Sequence, residues 1–114
     1  ADIIQPYLGD LRREGDDLHM DVPITIAEAL FGAEIEIPTL DVRVKVKVPP
    51  KTQTGRKLRL KGKGVRSHRG GPHGDLYVAL VVQLPDPDRD PTVARRAVEG
   101  LEKLYGGSVR AALE

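Results

Sequence analysis

Three aspartates at alternate positions, Asp86, Asp88 and Asp90, are the first residues whose spacing suggests chemistry. Carboxylates at positions one, three and five open a calcium-binding loop, which also needs glycine at position six and glutamate at position twelve. Here those two positions hold Pro91 and Ala97. The sequence therefore favours a linker that ends in a helix cap over a calcium site.

A second set of possible metal ligands is the histidine pair His68 and His73, with Asp75 nearby. The spacing of the two histidines suits neither one face of a helix nor one face of a strand, and Arg66 and Arg69 would repel a cation. We interpret these residues as solvated histidines of a glycine-rich loop rather than as a metal site.

Nucleophile and phosphate motifs are also incomplete. Ser67 directly precedes His68, and adjacency in sequence does not supply the geometry of a nucleophile and its base. The segment Lys61-Gly-Lys-Gly64 lacks the spacing and the closing Lys-Ser/Thr of a phosphate loop. The chain has no cysteine, which excludes disulfides, cysteine-ligated zinc and a thiol nucleophile. We therefore predict that the protein is not an enzyme and uses no metal or cofactor.

A basic tract is the strongest chemical signal. Residues 43 to 69 hold 11 of the 18 basic residues and no acidic residue, so the net charge of +1 averages over unlike segments. The tract contains no aromatic residue on which a base could stack. Three interpretations stay open, namely a solvated sheet face, a site for an acidic partner segment and a phosphate-binding surface for nucleic acid. The residues expected to make such contacts are Arg43, Lys45, Lys47, Arg59 and Lys61.

The elements that must position these residues are mostly strands. Aromatic residues are only 4% of the chain, so the core is expected to consist of valine, isoleucine and leucine, as in a β-rich domain. Apolar residues alternate with polar ones in the clearest segments. We predict strands near residues 18–24, 35–37, 42–48, 58–60 and 76–84, the first at a sheet edge because of Pro23 and the last central and covered on both faces.

Two helices are predicted from their end signals. Thr25 and Glu28 have the form of a capping box, which predicts a short helix over residues 26–31. Asp90 and Pro91 suit the start of a second helix over residues 91–105, whose apolar stripe must pack on its own sheet or on a second copy of the chain. The predicted organisation is a terminal segment 1–10, a β domain 11–85, a linker 86–90, the helix 91–105 and a tail 106–114.

Eight short segments occur in the order and spacing of a known domain. They are Arg13-Glu-Gly-Asp-Asp-Leu18, Val22-Pro-Ile24, Glu28-Ala-Leu-Phe-Gly32, Ile37-Pro-Thr-Leu-Asp41, Val48-Pro49, Thr52-Gln-Thr-Gly55, Leu58-Arg-Leu-Lys-Gly-Lys-Gly-Val65 and Gly74-Asp-Leu-Tyr-Val78. Over residues 11 to 105 the chain resembles the second carboxy-terminal β domain of DnaJ-type J-domain co-chaperones, followed by their dimerisation helix. The resemblance implies a small antiparallel β-sandwich-like domain with one short helix, plus a C-terminal amphipathic helix.

The resemblance also implies a function in protein folding and the stress response. It implies a homodimeric co-chaperone module that holds unfolded client polypeptide for an Hsp70-class ATPase in the cytoplasm. This sequence does not contain the family's J domain, Gly/Phe region or first carboxy-terminal domain, nor the zinc module that some members carry, so we expect passive holding and dimerisation from it. A nucleic-acid-binding β domain that uses the basic tract is the alternative.

Extended peptides bind at exposed apolar grooves or sheet edges. The residues expected to contact a client are therefore apolar residues of the first strand, the short helix and the next strand: Leu18, Met20, Val22, Ile24, Phe31, Ile35 and Ile37. The residues expected at the dimer interface are Val98, Leu101, Leu104 and Tyr105.

Two departures from the family pattern stand out. Family members carry His-Pro and an aromatic residue shortly before the Arg-x-Gly-Asp segment, where this chain has Leu8-Gly-Asp-Leu11, so residues 1–10 are diverged or foreign sequence. The turn after Asp41 lacks the usual glycine and has Val42, which disfavours a tight primed turn there.

Overall fold

The computed structural model describes residues 11–39, 43–65 and 73–113. The predictions about residues 1–10, about the turn after Asp41 and about Arg66, Ser67, His68 and Arg69 lie outside the described residues. The chain divides into two compact units, one ending at Leu84 and the other beginning at Pro85.

Within residues 11–39, 43–65 and 73–84, the first unit contains six strands and one helix. Their bounds are β1 (Arg12–Glu14), β2 (Asp17–Ile24), α1 (Ile26–Phe31), β3 (Ala33–Pro38), β4 (Arg43–Val48), β5 (Lys57–Leu60) and β6 (Leu76–Val82). The strands form a four-stranded sheet in the order β1-β2-β6-β5 and a two-stranded sheet of β3 and β4. The predicted edge position of β2 is wrong, because β2 lies between β1 and β6. Pro23 fits there because β1 pairs only with the residues of β2 from Asp17 to His19. The prediction of a mainly β fold with one short helix is confirmed.

One strand pair differs from the expected antiparallel pattern, because β2 and β6 run parallel in a register that begins with Leu18 opposite Leu76. The other described pairs are antiparallel. A parallel pair needs a long crossover connection, and residues 25–75 between the two strands supply one. Alternation in sequence reports which face a residue takes and not the direction of its partner strand, so the parallel pair could not be predicted from it.

A single apolar cluster joins the two sheets. It takes alternate residues of β2, β4 and β6 with one residue each from α1 and β3: Leu18, Met20, Val22, Ile24, Ala29, Ile37, Val44, Val46, Val48, Leu76, Val78 and Leu80. Burial of one such side chain contributes about 1.5–3 kcal/mol. The inward valines of β4 are as predicted, and β6 is central. The expectation that β6 is covered on both faces is wrong for the described part of the chain, where Val81 on the second face is 39% exposed.

Helix α1 has the capping box that the sequence predicts. The Glu28 N–H donates to Thr25 Oγ1 at 3.1 Å and the Thr25 N–H donates to Glu28 Oε1 at 2.8 Å. Gly32 ends the helix with a φ of +81°, and its N–H donates to the Glu28 carbonyl oxygen at 2.9 Å. A Cβ on Gly32 would lie 2.9 Å from the Val48 carbonyl oxygen, so only glycine fits here without displacing β4.

Three of the eight family-like segments meet at one junction. The Val65 N–H donates to the Asp16 carbonyl oxygen at 2.8 Å and the Gly64 N–H donates to the Gly74 carbonyl oxygen at 2.9 Å. The Asp75 N–H donates to the Asp17 carboxylate at 2.7 Å. These bonds join the β1–β2 turn to the two ends of the loop between β5 and β6. The three family-like segments therefore stabilise one another at this junction.

The second unit contains a short 3-10 helix at Pro87–Arg89, the helix α2 (Pro91–Glu102) and a last 3-10 turn at Ala111–Leu113. The Asp90 carboxylate caps α2 by accepting from the Val93 N–H at 3.1 Å, as predicted. The helix ends three residues earlier than the predicted 105. Hydrogen bonds from the N–H of Leu104 and of Tyr105 continue the chain as turns before the two glycines that follow.

Candidate functional site

The structure divides the seven residues expected to contact a client into two groups. Five of them, Leu18, Met20, Val22, Ile24 and Ile37, are at most 5% exposed and belong to the core between the sheets. Ile35 is half-buried against that core. Phe31 alone of the seven is strongly exposed, at 79%. Of the seven predicted residues, Phe31 is therefore the one that a ligand can reach most easily.

The exposure of Phe31 follows from the geometry of α1. Ala29 is the residue of this short helix that enters the core. Each residue of an α-helix is rotated by about 100° from the one before it, so residues two positions apart lie on nearly opposite faces. Phe31 therefore faces away from the core, and the end of the helix at Gly32 leaves no following turn to cover it.

Beside Phe31 lies an open cleft of about 550 Å³. We call it the Phe31 cleft. Its wall is mostly apolar, and the lining residues are Phe31, Gly32, Ala33, Glu34, Lys47, Val48, Pro49, Pro50 and Leu58. They come from the end of α1, the start of β3, the end of β4 with the following turn, and β5. A cleft of this size and lining is suited to one or two apolar side chains of a ligand.

The turn after β4 holds one wall of the Phe31 cleft in place. The Lys51 N–H donates to the Leu30 carbonyl oxygen at 3.1 Å, and the Thr52 N–H donates to the Ala29 carbonyl oxygen at 2.8 Å. The buried Thr52 hydroxyl donates to the Pro49 carbonyl oxygen. These bonds satisfy two carbonyl groups at the C-terminus of α1, and they tie the proline pair to the helix that carries Phe31.

Phe31 was the only cleft residue that the sequence predicted as a client contact, while Lys47 was predicted only as a contact for an acidic partner or phosphate. Val48, Pro49 and Pro50 follow it by 17 to 19 residues and Leu58 by 27, and no periodic pattern links such distant positions. The Pro-Pro pair predicted only the end of a strand. The sequence signal for an exposed side chain was a phenylalanine directly before the glycine that ends the helix. A large residue at that position is not covered by a following helical turn.

The outward face of the β3–β4 sheet is a ladder of opposite charges. Glu34 is paired with Lys47 and Glu36 with Lys45 in the strand register, and an Arg43 guanidinium nitrogen lies 3.5 Å from a carboxylate oxygen of Glu36. Opposite charges at such positions attract each other modestly. Three of the cations expected to contact an acidic partner or phosphate thus face carboxylates of their own sheet.

Arg59, a fourth cation of that group, is bound to Asp75. Its Nη2 and Nε lie 2.6 and 2.8 Å from Asp75 Oδ2, and the Gly62 N–H donates to Asp75 Oδ1 at 2.9 Å. The Gly62 hydrogen bond and the Arg59 side chain hold the pKa of Asp75 below its usual value. The bond to Asp75 raises the pKa of Arg59 in turn. Lys61, the fifth cation, is exposed.

No group of three possible metal ligands lies together in residues 11–39, 43–65 and 73–113. His73 is exposed, while His68 is outside the described residues. Asp86 and Asp90 accept hydrogen bonds from the backbone at the starts of the 3-10 helix and of α2, which agrees with their interpretation as caps. Within the described ranges, no helix has the length and apolarity to cross a membrane.

The residues expected at a dimer interface lie in the second unit. Val98, Leu104 and Tyr105 are each more than half exposed, and Leu101 is half-buried. A shallow groove along α2 is lined partly by Pro91, Ala94 and Val98. The exposed part of α2 and the turns after it therefore presents an apolar surface.

The fold and the Phe31 cleft define a small two-sheet domain with an exposed apolar cleft. The family is identified by the sequence match: residues 9–85 match the family model of the DnaJ C terminal domain. The chain belongs to that family, which is a family of chaperone domains and not of enzymes. The suspected relation to DnaJ-type co-chaperones is therefore confirmed at the level of this domain.

Proposed function

We propose that this domain binds unfolded or extended client polypeptide, and that it places an apolar client side chain in the Phe31 cleft. The observation that carries the proposal is a phenylalanine 79% exposed beside an apolar cleft of about 550 Å³. Large apolar residues exposed next to a preformed cleft are typical of ligand sites. The family supports a polypeptide as the ligand, because it is a family of chaperone domains.

The test is an NMR titration of the chain with an unfolded, apolar-rich peptide. Binding should shift the resonances of the turn after β4, the end of α1 and the start of β3. Phe31→Ser should weaken binding about tenfold or more, since it removes most of one apolar contact. The matched control is Leu84→Ser, because Leu84 is also strongly exposed (75%) in the same unit and does not line the cleft. Equal binding by the two variants would refute the site.

We further propose that α2 mediates homodimerisation through its apolar stripe, including Val98 and Leu101. In the full-length protein the dimer would deliver clients to an Hsp70-class ATPase in the cytoplasm. Leu101→Asp should convert a dimer to a monomer in sedimentation velocity, because a buried interface does not accept an unpaired charge. Thr92→Asp, on the opposite side of α2, is the control and should leave the dimer intact. A monomeric wild-type chain would refute dimerisation through this helix.

The nucleic-acid alternative receives less support. Arg43, Lys45 and Lys47 face carboxylates of β3, and Arg59 is bound to Asp75. The carboxylates of Glu34, Glu36 and Asp75 therefore offset part of the positive charge of the tract. Binding to DNA or RNA that weakens steeply with salt would reverse this preference.

A further inference from the structure

Lys51 has a backbone conformation that lysine rarely adopts. Its φ is +61°, and it is the one residue other than glycine with a positive φ in the described part of the chain. A side chain in this region brings Cβ close to the neighbouring carbonyl oxygen, whereas glycine adopts the same conformation freely. Strained residues of this kind persist where the surrounding structure enforces the conformation, and they cluster at functional sites.

The fold explains the conformation of Lys51 but not its side chain. The left-handed residue is needed so that the N–H groups of Lys51 and Thr52 reach the Leu30 and Ala29 carbonyl oxygens at 3.1 and 2.8 Å. Glycine would make the same backbone bonds. The Lys51 residue is exposed, and its ammonium has no ion pair within residues 11–39, 43–65 and 73–113. The stability of the domain therefore does not account for a lysine at this position.

The position of Lys51 links it to the Phe31 cleft. Its backbone directly follows Pro50, which lines the cleft, and it is hydrogen-bonded to the residue before Phe31. The two charged residues that line the cleft, Glu34 and Lys47, are opposite each other in the strand register and balance. Lys51 therefore adds a net positive charge at the border of an otherwise neutral, apolar site.

We propose that Lys51 is a specificity-determining residue of the Phe31 cleft, and that it selects client segments in which a carboxylate flanks the apolar side chain. This inference rests on the proposed function of the cleft. The ammonium attracts an aspartate or glutamate near the apolar residue, or a terminal carboxylate in the same place. The attraction is that of an exposed ion pair, so the selection is modest and sensitive to salt.

The experiment measures the affinity of the chain for two peptides that are identical except for glutamate or glutamine beside one central phenylalanine. Both carry blocked termini, and a third peptide with glutamine and a free C-terminal carboxylate separates the two carboxylate sources. Wild-type protein should prefer the glutamate peptide by about two- to fivefold at low salt. That preference should disappear at high salt.

Two substitutions at position 51 separate charge from backbone strain. Lys51→Asn removes the charge but tolerates the left-handed conformation, and Lys51→Gly removes the charge together with the strain. Both should abolish the preference for glutamate, while Lys51→Gly should also raise the Tm. Lys45→Gln is the matched control, because Lys45 is a lysine of the preceding strand β4 that does not line the cleft. The Lys45→Gln variant should keep the preference for the glutamate peptide.

The outcomes distinguish the two proposals. Binding that depends on Phe31, with a glutamate preference that survives both Lys51 variants, overturns this inference alone. Failure of the wild-type chain to bind any of the peptides overturns the proposed function and this inference together. Loss of the preference in both Lys51 variants, with retention in Lys45→Gln, supports the inference.

Discussion

Gly74→Ala should destabilise the domain far more than an ordinary glycine substitution. Gly74 lies at the junction where the β1–β2 turn meets the loop between β5 and β6. A Cβ on this residue would lie 1.9 Å from the Asp16 carbonyl oxygen and 2.3 Å from the Asp16 carbonyl carbon. Both are backbone atoms, so no side-chain rotation relieves the overlap, and the two segments must separate by more than an ångström.

The expected cost follows from the contacts that such a separation disturbs. Overpacking in a tight site costs about 1–3 kcal/mol. The Val65 N–H bond to the Asp16 carbonyl oxygen and the Gly64 N–H bond to the Gly74 carbonyl oxygen are also strained or lost, at about 0.5–1.5 kcal/mol each. The total is about 2–6 kcal/mol, a large fraction of the stability of a small domain.

Urea unfolding followed by circular dichroism measures this change directly. The control is Gly15→Ala, which replaces a glycine with a φ of +62° but has nothing within 4 Å of the added Cβ. Its cost should be limited to the backbone conformation, about 1–2 kcal/mol. Equal destabilisation by the two variants would show that the contact with Asp16 is not what requires glycine at position 74.

Two further predictions concern the start of α1 and the Asp75 carboxylate. Thr25→Ala should lower the free energy of unfolding by about 1 kcal/mol because it removes the capping box. Glu28→Gln keeps a side-chain oxygen that accepts from the Thr25 N–H, so it should cost much less. Urea midpoints of the two variants test this, and similar losses in both would contradict it. The folded-state pKa of Asp75 is depressed, so its contribution to stability is present above the unfolded pKa, about 3.9, and is lost as the pH falls through the folded value. Urea midpoints measured across the acidic range should therefore fall less steeply with pH in Asp75→Asn than in the wild type, and identical slopes would argue against the predicted role.

Local patterns predicted the elements well. The alternation in β2, β4 and β6 identified the buried face of each strand, and the capping residues Thr25 and Asp90 marked where both helices begin. These features depend on residues within a few positions of one another, where sterics and hydrogen bonding are local. The same reasoning missed the parallel pairing of β2 with β6, because strand direction depends on how distant segments meet.

The site was harder to predict because apolar residues in a strand look alike whether they face a core or a ligand. Leu18 and Met20 were expected at a client surface and instead lie between the sheets. The charge ladder between β3 and β4 was also missed, since Glu36 and Lys45 are nine positions apart and become neighbours only through the hairpin register. Phe31 was among the predicted client contacts. The proline pair that forms one wall of its cleft could be recognised only from the three-dimensional structure.

The parallel pair of β2 and β6 has a consequence for synthesis on the ribosome. Partner residues in this pair are 58 positions apart, as the Asp75–Asp17 hydrogen bond also shows. The edge of β2 that pairs with β6 therefore has no partner until nearly the whole β unit has been translated. Domains dominated by such distant contacts fold in milliseconds to seconds. During that interval a strand with Leu18, Met20, Val22 and Ile24 on one side is open to aggregation. The apolar side of β2 must therefore be protected from aggregation until β6 has been translated.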